Sequence, residues 1–359
     1  MAQYHIPGAS IAIIKDKQIS YKNAYGYSDL QTQRKMTTDT LLQACSITKT
    51  TTALAVLMTF NDKHLSINDP ANDFLTSWKI PENKYTKKQP VTVRMLLDHS
   101  AGILNPYQYF KFKFGDQYPS NLNILRGEKP AHNPPMTATR LPGSKYEYCN
   151  GCYVILQTLL ENVDHKPYPQ IMKNMILEPL HMMQSNYDQD FTFKLPDQFA
   201  LPYTPDGKIY PDEPFMQTSD QARQDYLKGD QGLSVGGLWT TPSDLATFAI
   251  AIQNSLINQS DYIPNKIAAE MVAPSSTKTR GLGFFIANKY GDEAAGGKYF
   301  THGGFNPGYL AILVAGIKDG NGVVIMVNVS PDYHTQGKVQ QWDFIKDVER
   351  FIADEEKWK

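Results

Sequence analysis

The tetrapeptide Ser46-Ile47-Thr48-Lys49 sets a hydroxyl and an amine three positions apart, at the start of a segment of helical character. On a helix that spacing places both groups on one face, so the Ser46 hydroxyl and the Lys49 amine can meet. A serine hydroxyl is a poor nucleophile until a neighbour takes its proton. A lysine can do so only where burial or positive charge lowers its pKa from about 10.4 by roughly three units, about 4 kcal/mol. A helix start also sets developing negative charge at the positive end of the dipole. The chemistry implied is acyl transfer through Ser46.

Two other serines compete for that role. Ser275-Ser276-Thr277-Lys278 repeats the spacing, but it follows Pro274 and precedes a glycine-broken strand, with no helix to align its ends. Gly232-Leu233-Ser234-Val235-Gly236 matches a nucleophile elbow, which needs a buried strand before it, and Leu227–Gln231 is no such strand.

Further groups of chemical interest are Tyr148-Cys149-Asn150 and His302-Gly303-Gly304. Taken singly, Tyr148 and Asn150 read as a buried phenol and a helix cap, and His302 as a core histidine. Tyr21-Lys22-Asn23 repeats the Y-x-N pattern, but it precedes the serine and falls in a predicted strand. Cys149 and Cys152 form a C-x-x-C that invites a redox or zinc reading. No second pair of ligands follows, so the metal reading lacks donors, and the expectation is two small residues opening a helix. Cys45, beside the nucleophile, reads as a small buried residue; a redox role for the three cysteines is a distant alternative.

The elements that must hold these groups follow from periodicity. Ala9–Lys15 and Gln18–Tyr25 alternate and predict a hairpin turning at Asp16-Lys17. Ser46–Lys63 predicts a helix, with Ser46 as N-cap and Leu54, Leu57, Met58 and Phe60 as its apolar stripe. Helical patches at Val93–His99, Cys152–Val163 and Tyr168–Pro179 sit among Pro- and Tyr-rich stretches. Leu104–Pro142 reads as a long loop carrying Tyr107, Tyr109, Phe110, Phe112, Phe114 and Tyr118, packed over the body or lining a substrate site. Pro242–Ile252 predicts a helix with Ser243 and Asp244 in its first turn. Gly281–Tyr290, Lys298–His302, Tyr309–Ile317 and Val323–Val329 are β-like, the last two joined by a turn at Asp319–Gly322. Gln341–Lys359 predicts a closing amphipathic helix with Trp342, Phe344, Ile345, Val348 and Phe351 on its apolar side.

Strands at both ends with helices between predict an α+β fold, an α/β sandwich. Its antiparallel sheet is made from both termini and covered by helices. The expected division is a sheet domain of residues 1–64 and 235–359 and a mostly helical inserted domain of residues 65–234, with the active site between them.

Composition narrows the function classes. The 359 residues are 41% hydrophobic and carry a formal charge of −1. A large core can be buried, and nothing favours a nucleic-acid partner. The apolar runs are too short to span a bilayer. The N-terminal residues show no leader, so a trimmed or mature form is expected.

In order and flanks, Ser46-x-x-Lys49, Tyr148-Cys149-Asn150 and His302-Gly303-Gly304 resemble the three motifs of the class C β-lactamase family. That family includes DD-peptidases, D-aminopeptidases and family VIII esterases. Ile6-Pro7-Gly8, Val91–Gly102, Leu141-Pro142-Gly143 and Gly236–Asp244 are also of its type, so the likeness runs from about Ile6 to the final helix. The resemblance implies a β-lactamase/transpeptidase-like fold and no cofactor. Ser46 would be acylated, Lys49 would move its proton, and Tyr148, held by Lys49, would act as general base or acid. Asn150 would orient the substrate and Lys49. His302, Gly303 and Gly304 would line the substrate from a strand edge, and the N–H groups of Ser46 and Phe305 would form an oxyanion hole worth about 3 kcal/mol per donor.

Two departures bear on the substrate. His302 stands where true β-lactamases carry lysine, as in the DD-peptidases and D-aminopeptidases. A part-time charge grips a carboxylate less reliably. No candidate exists for the extra glutamate of class A deacylation, which leaves Tyr148 and Lys49. The expectation is therefore a serine hydrolase of an amide, peptide or ester, acting on a small molecule or peptide, with a β-lactam as covalent ligand. The alternatives are a true β-lactamase, or a silent sensor or scaffold of the same fold. The family is usually exported, so a periplasmic or extracellular place is expected, with a cytoplasmic one as the alternative.

Overall fold

The computed structural model describes residues 1–105, 119–189, 195–210, 232–289, 292–331 and 341–358. Its frame is an antiparallel sheet of β1 (Gly8–Lys15), β2 (Gln18–Asp29), β3 (Arg34–Lys35), β6 (Phe285–Lys289), β7 (Asp292–Glu293), β8 (Tyr299–Asn306), β9 (Tyr309–Gly316) and β10 (Gly322–Val327). A separate two-stranded ladder pairs β4 (Leu42–Gln43) with β5 (Trp239–Thr240). The large sheet runs in the order β3-β2-β1-β10-β9-β8-β6-β7. The two ends of the chain thus meet where β1 pairs with β10, Ala9 opposite Val327.

The helices are α1 (Thr48–Asp62), α2 (Ala71–Phe74), α3 (Val93–Leu97), α4 (Asn121–Arg126), α5 (Asn150–Asp164), α6 (Tyr168–Met172), α7 (Leu233–Gly236), α8 (Pro242–Leu256), α9 (Asn265–Val272) and α10 (Gln341–Glu355). Strand β9 is buried along its whole length, which explains its unbroken apolar sequence. Leu310, Ile312 and Val314 face one layer with Ile345 and Ile352 of α10. Ala311, Leu313 and Ala315 face the main core, which α1, α5 and α8 share.

Several expectations are corrected by packing. Helix α1 is buried from Thr48 to Phe60 rather than along one stripe. Its threonines are tolerated because each hydroxyl is bonded, Thr51 to the Tyr187 hydroxyl at 2.6 Å and Thr52 to that of Tyr168 at 2.7 Å. The stretch Leu104–Pro142 contains α4, begun by a capping box in which the Ser120 side chain accepts from the Asn123 N–H. The six aromatic residues from Tyr107 to Tyr118 lie outside the described residues. Helix α9 was not expected at all. On α10 the expected Trp342, Phe344, Ile345 and Val348 pack against the sheet layer, but Phe351 is 64% exposed and Ile352 is buried in its place. Strand β8 runs past His302 to Asn306, because the glycine pair gives no alternating signal yet keeps its place opposite β9.

Candidate active site

The chain reaches Ser46 through a strained turn. Cys45 holds a left-handed φ of 52° without being glycine, a conformation that costs on the order of 1 kcal/mol and persists only where the surroundings enforce it. Residues Cys45–Ile47 form a 3₁₀ turn, and α1 begins at Thr48. Ser46 is therefore not the helix cap expected of it. No side chain caps α1, and the Ser46 hydroxyl instead meets Lys49.

Lys49 Nζ lies 3.1 Å from Ser46 Oγ and donates to the Val235 carbonyl at 2.9 Å. The side chain is fully buried, and burial pushes its ammonium well below the ordinary lysine range. The Tyr148 ring lies 5.1 Å from Nζ and the Tyr153 ring 5.8 Å. Val235 belongs to α7, inside the segment that mimics a nucleophile elbow. Ser234 there is fully buried and donates to the Tyr153 carbonyl at 2.8 Å, so it is part of a wall. The other competing serine, Ser275, donates to Asp98 Oδ2 at 2.7 Å and pins the loop after α3.

Tyr148 and Asn150 stand at the start of α5. Cys149 caps the helix: its Sγ accepts from the Cys152 N–H at 3.0 Å. The reading of these two cysteines as unlinked small residues is corrected, since they are joined in a disulfide with Cα atoms 5.3 Å apart. The bridge spans Asn150 and Gly151 and begins at the residue after Tyr148 in the chain. Cys45 is buried and lies outside the disulfide, its thiol donating to the Gln43 carbonyl at 3.3 Å.

Two residues that sequence reasoning left without a role hold this turn. Asn105 accepts from the Asn150 N–H at 2.9 Å and donates to the Tyr148 carbonyl at 2.9 Å. His99, itself at a φ of 62°, accepts the Cys149 N–H on Nδ1 at 3.1 Å and lays its ring 4.7 Å from that of Tyr148. Burial, then the field of Lys49, pushes the His99 imidazole well below its usual range, so it is neutral with its proton on Nε2. The signal for His99 lay in its place within Val91–Gly102; Asn105 had none.

Asn150 Oδ1 is buried and has no hydrogen-bond partner among the described residues. It does not orient Lys49 as expected; the Val235 carbonyl does so.

The third wall is β8. Gly304 lies so close to the Ser46 turn that a Cβ there would sit 2.4 Å from the Ala44 carbonyl oxygen and 3.2 Å from the Ser46 N. The next residue, Phe305, is 38% exposed and opposes Leu310. His302, 2% exposed, lies with its ring 6.4 Å from that of Tyr148. Phe285 stacks on the imidazole at 4.7 Å, and the Arg280 guanidinium packs on Phe285 at 4.3 Å. Burial, then Lys49, pushes the His302 pKa down to about 3. The part-time charge expected of this residue is corrected to a neutral ring at ordinary pH.

The structure thus brings Ser46, Lys49, Tyr148, His302 and Gly304 around one point, with Asn150, Gly303 and Phe305 adjoining. Among the described residues no group of His, Cys, Asp or Glu could hold a metal ion, and no helix is long and apolar enough to cross a membrane.

The fold is that of the β-lactamase/transpeptidase architecture. The family model described as Beta-lactamase matches residues 1–344, and the chain belongs to that family. It is 24% identical over 343 residues to Protein flp of Staphylococcus aureus (strain MRSA252). That match takes in 92% of this chain and 61% of the relative, so the chain spans about three-fifths of the relative's length. Among solved structures, the octameric penicillin-binding protein homologue from Pyrococcus abyssi superposes with a TM-score of 0.73 at 23% identity, over 97% of this chain and 75% of that one. The D-amino acid amidase from Ochrobactrum anthropi SV3, complexed with L-phenylalanine, does so with a TM-score of 0.72 at 19% identity, over 98% and 94%. At those identities the likeness concerns the fold.

Proposed function

We propose that the protein is a serine hydrolase that works through an acyl-enzyme at Ser46 on an amide, peptide or ester. The observation that carries this reading is Lys49: an amine buried with no carboxylate paired to it among the described residues, 3.1 Å from a serine hydroxyl. Burial favours the neutral amine, whose lone pair accepts the Ser46 proton as Oγ attacks the substrate carbonyl. The amine's hold on the Val235 carbonyl fixes its direction. The developing oxyanion is assigned to the N–H groups of Ser46 and Phe305, which the close approach of Gly304 to Ser46 would bring to one side of the carbonyl. Tyr148, beside Lys49, is assigned delivery of the proton to the leaving group and activation of the water that frees the acyl group. The His99 ring packs against its phenol ring, and Asn105 holds its backbone carbonyl.

A fluorophosphonate and a fluorescent penicillin test the reading directly. Each is expected to add one adduct at Ser46 by intact mass, and Ser46→Ala is expected to lose both adducts and p-nitrophenyl ester turnover. No adduct from either reagent, together with unchanged ester turnover in Ser46→Ala, would sink the proposal. Turnover of nitrocefin faster than of amides and esters would replace it with β-lactamase action.

A further inference from the structure

The site contains two buried acceptors that lack a donor among the described residues, His302 Nε2 and Asn150 Oδ1. Geometry fixes the tautomer of the first. His302 Nδ1 lies 2.6 Å from the Gly303 carbonyl oxygen, which can only accept. Nδ1 therefore carries the hydrogen, and Nε2 presents a lone pair. The flat face of Phe285 covers the ring, and the side chain is almost wholly buried, so taking up a second proton means charging a desolvated group beside Lys49 and Arg280. A buried acceptor without a donor is costly, so a ligand that supplies an N–H gains there and a ligand that presents only lone pairs loses. The His302 and Tyr148 rings are neighbours, and Tyr148 is the group assigned to protonate the departing atom. His302 consequently borders the leaving-group side.

We propose that this side of the site is built for an uncharged N–H donor, a carboxamide or amide N–H seated on His302 Nε2, and against a free carboxylate. The inference rests on the acyl-transfer reading for which side is which, and it names the substrate class that reading leaves open. A carboxylate would set its lone pairs against that of Nε2. An ammonium would supply a donor but add a charge on the side where the Arg280 guanidinium packs over Phe285.

The test is a matched pair, acetyl-D-alanyl-D-alaninamide and acetyl-D-alanyl-D-alanine. Binding of each is measured by calorimetry on Ser46→Ala protein, and kcat/KM is measured on the wild type with products identified by mass spectrometry. The amide-ended peptide is expected to bind and react roughly ten- to a hundredfold better. In Ser46→Ala/His302→Lys the order is expected to invert, because an ammonium replaces the lone pair. Equal affinities, preference for the carboxylate peptide, binding of neither, or an unchanged order with lysine at 302 overturns the inference. Should the lysine variant not fold, the wild-type ranking decides alone. Fluorophosphonate labelling of Ser46 is scored separately. Labelled protein with the wrong ranking removes this inference only, whereas unlabelled protein with the expected ranking removes the acyl-enzyme reading and keeps the donor preference.

Discussion

Gly304→Ala offers a substitution whose effect can be worked from distances. The added methyl would lie 2.4 Å from the Ala44 carbonyl oxygen, 2.8 Å from Cys45 Cβ and 3.2 Å from Ser46 N. Ordinary contact begins at 3.4 Å, so strand and turn must part by about 1 Å. Two of the three neighbouring atoms are backbone, in a turn already strained at Cys45, and no flexible side-chain end can yield. Overpacking of this kind costs about 1–3 kcal/mol of stability, which lowers the melting temperature by a few degrees. The same 1 Å separates the Ser46 N–H from the Phe305 N–H. Misplacement on that scale costs on the order of a hundredfold in rate, as does loss of one oxyanion donor. The measurements are thermal unfolding and kcat/KM on a p-nitrophenyl ester, with fluorophosphonate labelling of Ser46 as a second rate. A variant with wild-type kcat/KM and a melting temperature within about 1 °C would refute the claim that β8 is pressed against the nucleophile turn.

Replacing Lys49 with Met is expected to slow Ser46 labelling by about a thousandfold or more, with only about 1–3 kcal/mol of stability lost from the unpaired Val235 carbonyl; labelling within tenfold of wild type would remove Lys49 as the proton acceptor. Stability is expected to fall on acidification below about pH 6.5, because the unfolded chain protonates a histidine there while folded His302 resists until about 3. Between those values the unfolded state binds more protons, so each unit of pH lost removes up to about 1.4 kcal/mol, and His302→Gln should flatten the melting-temperature profile over pH 6.5–4. Of the three cysteines in the chain, iodoacetamide under denaturing, non-reducing conditions is expected to modify Cys45 alone, and all three after reduction. Three adducts without reductant would contradict the Cys149–Cys152 bridge.

The degree to which the sequence was legible varied with the range of the interaction. The hairpin of β1 and β2, the double-faced strand β9 and α8 were readable because neighbouring residues carry their own periodicity. Ser46 and Lys49 were readable because three residues of helix-like chain place them together. Strand β8 was cut short on paper because Gly303-Gly304 removes the side chains that make alternation visible. The Phe351 assignment failed because Phe351 and Ile352 are neighbours in sequence, and only packing against the sheet layer decides that Ile352 is the buried one.

By itself the sequence determined the family, the pairing of Ser46 with Lys49 and the broad order of strands at both ends with helices between, all of which rest on local spacing or on motif order. The tertiary structure alone decided how those groups are tuned. The Val235 carbonyl that aims Lys49 comes from a segment that looked like a rival active site. The Cys149–Cys152 disulfide depends on a helix turn bringing two thiols together. The neutral His302 depends on Phe285 and burial. A pKa and a tautomer are properties of surroundings, and surroundings are assembled from residues far apart in the chain.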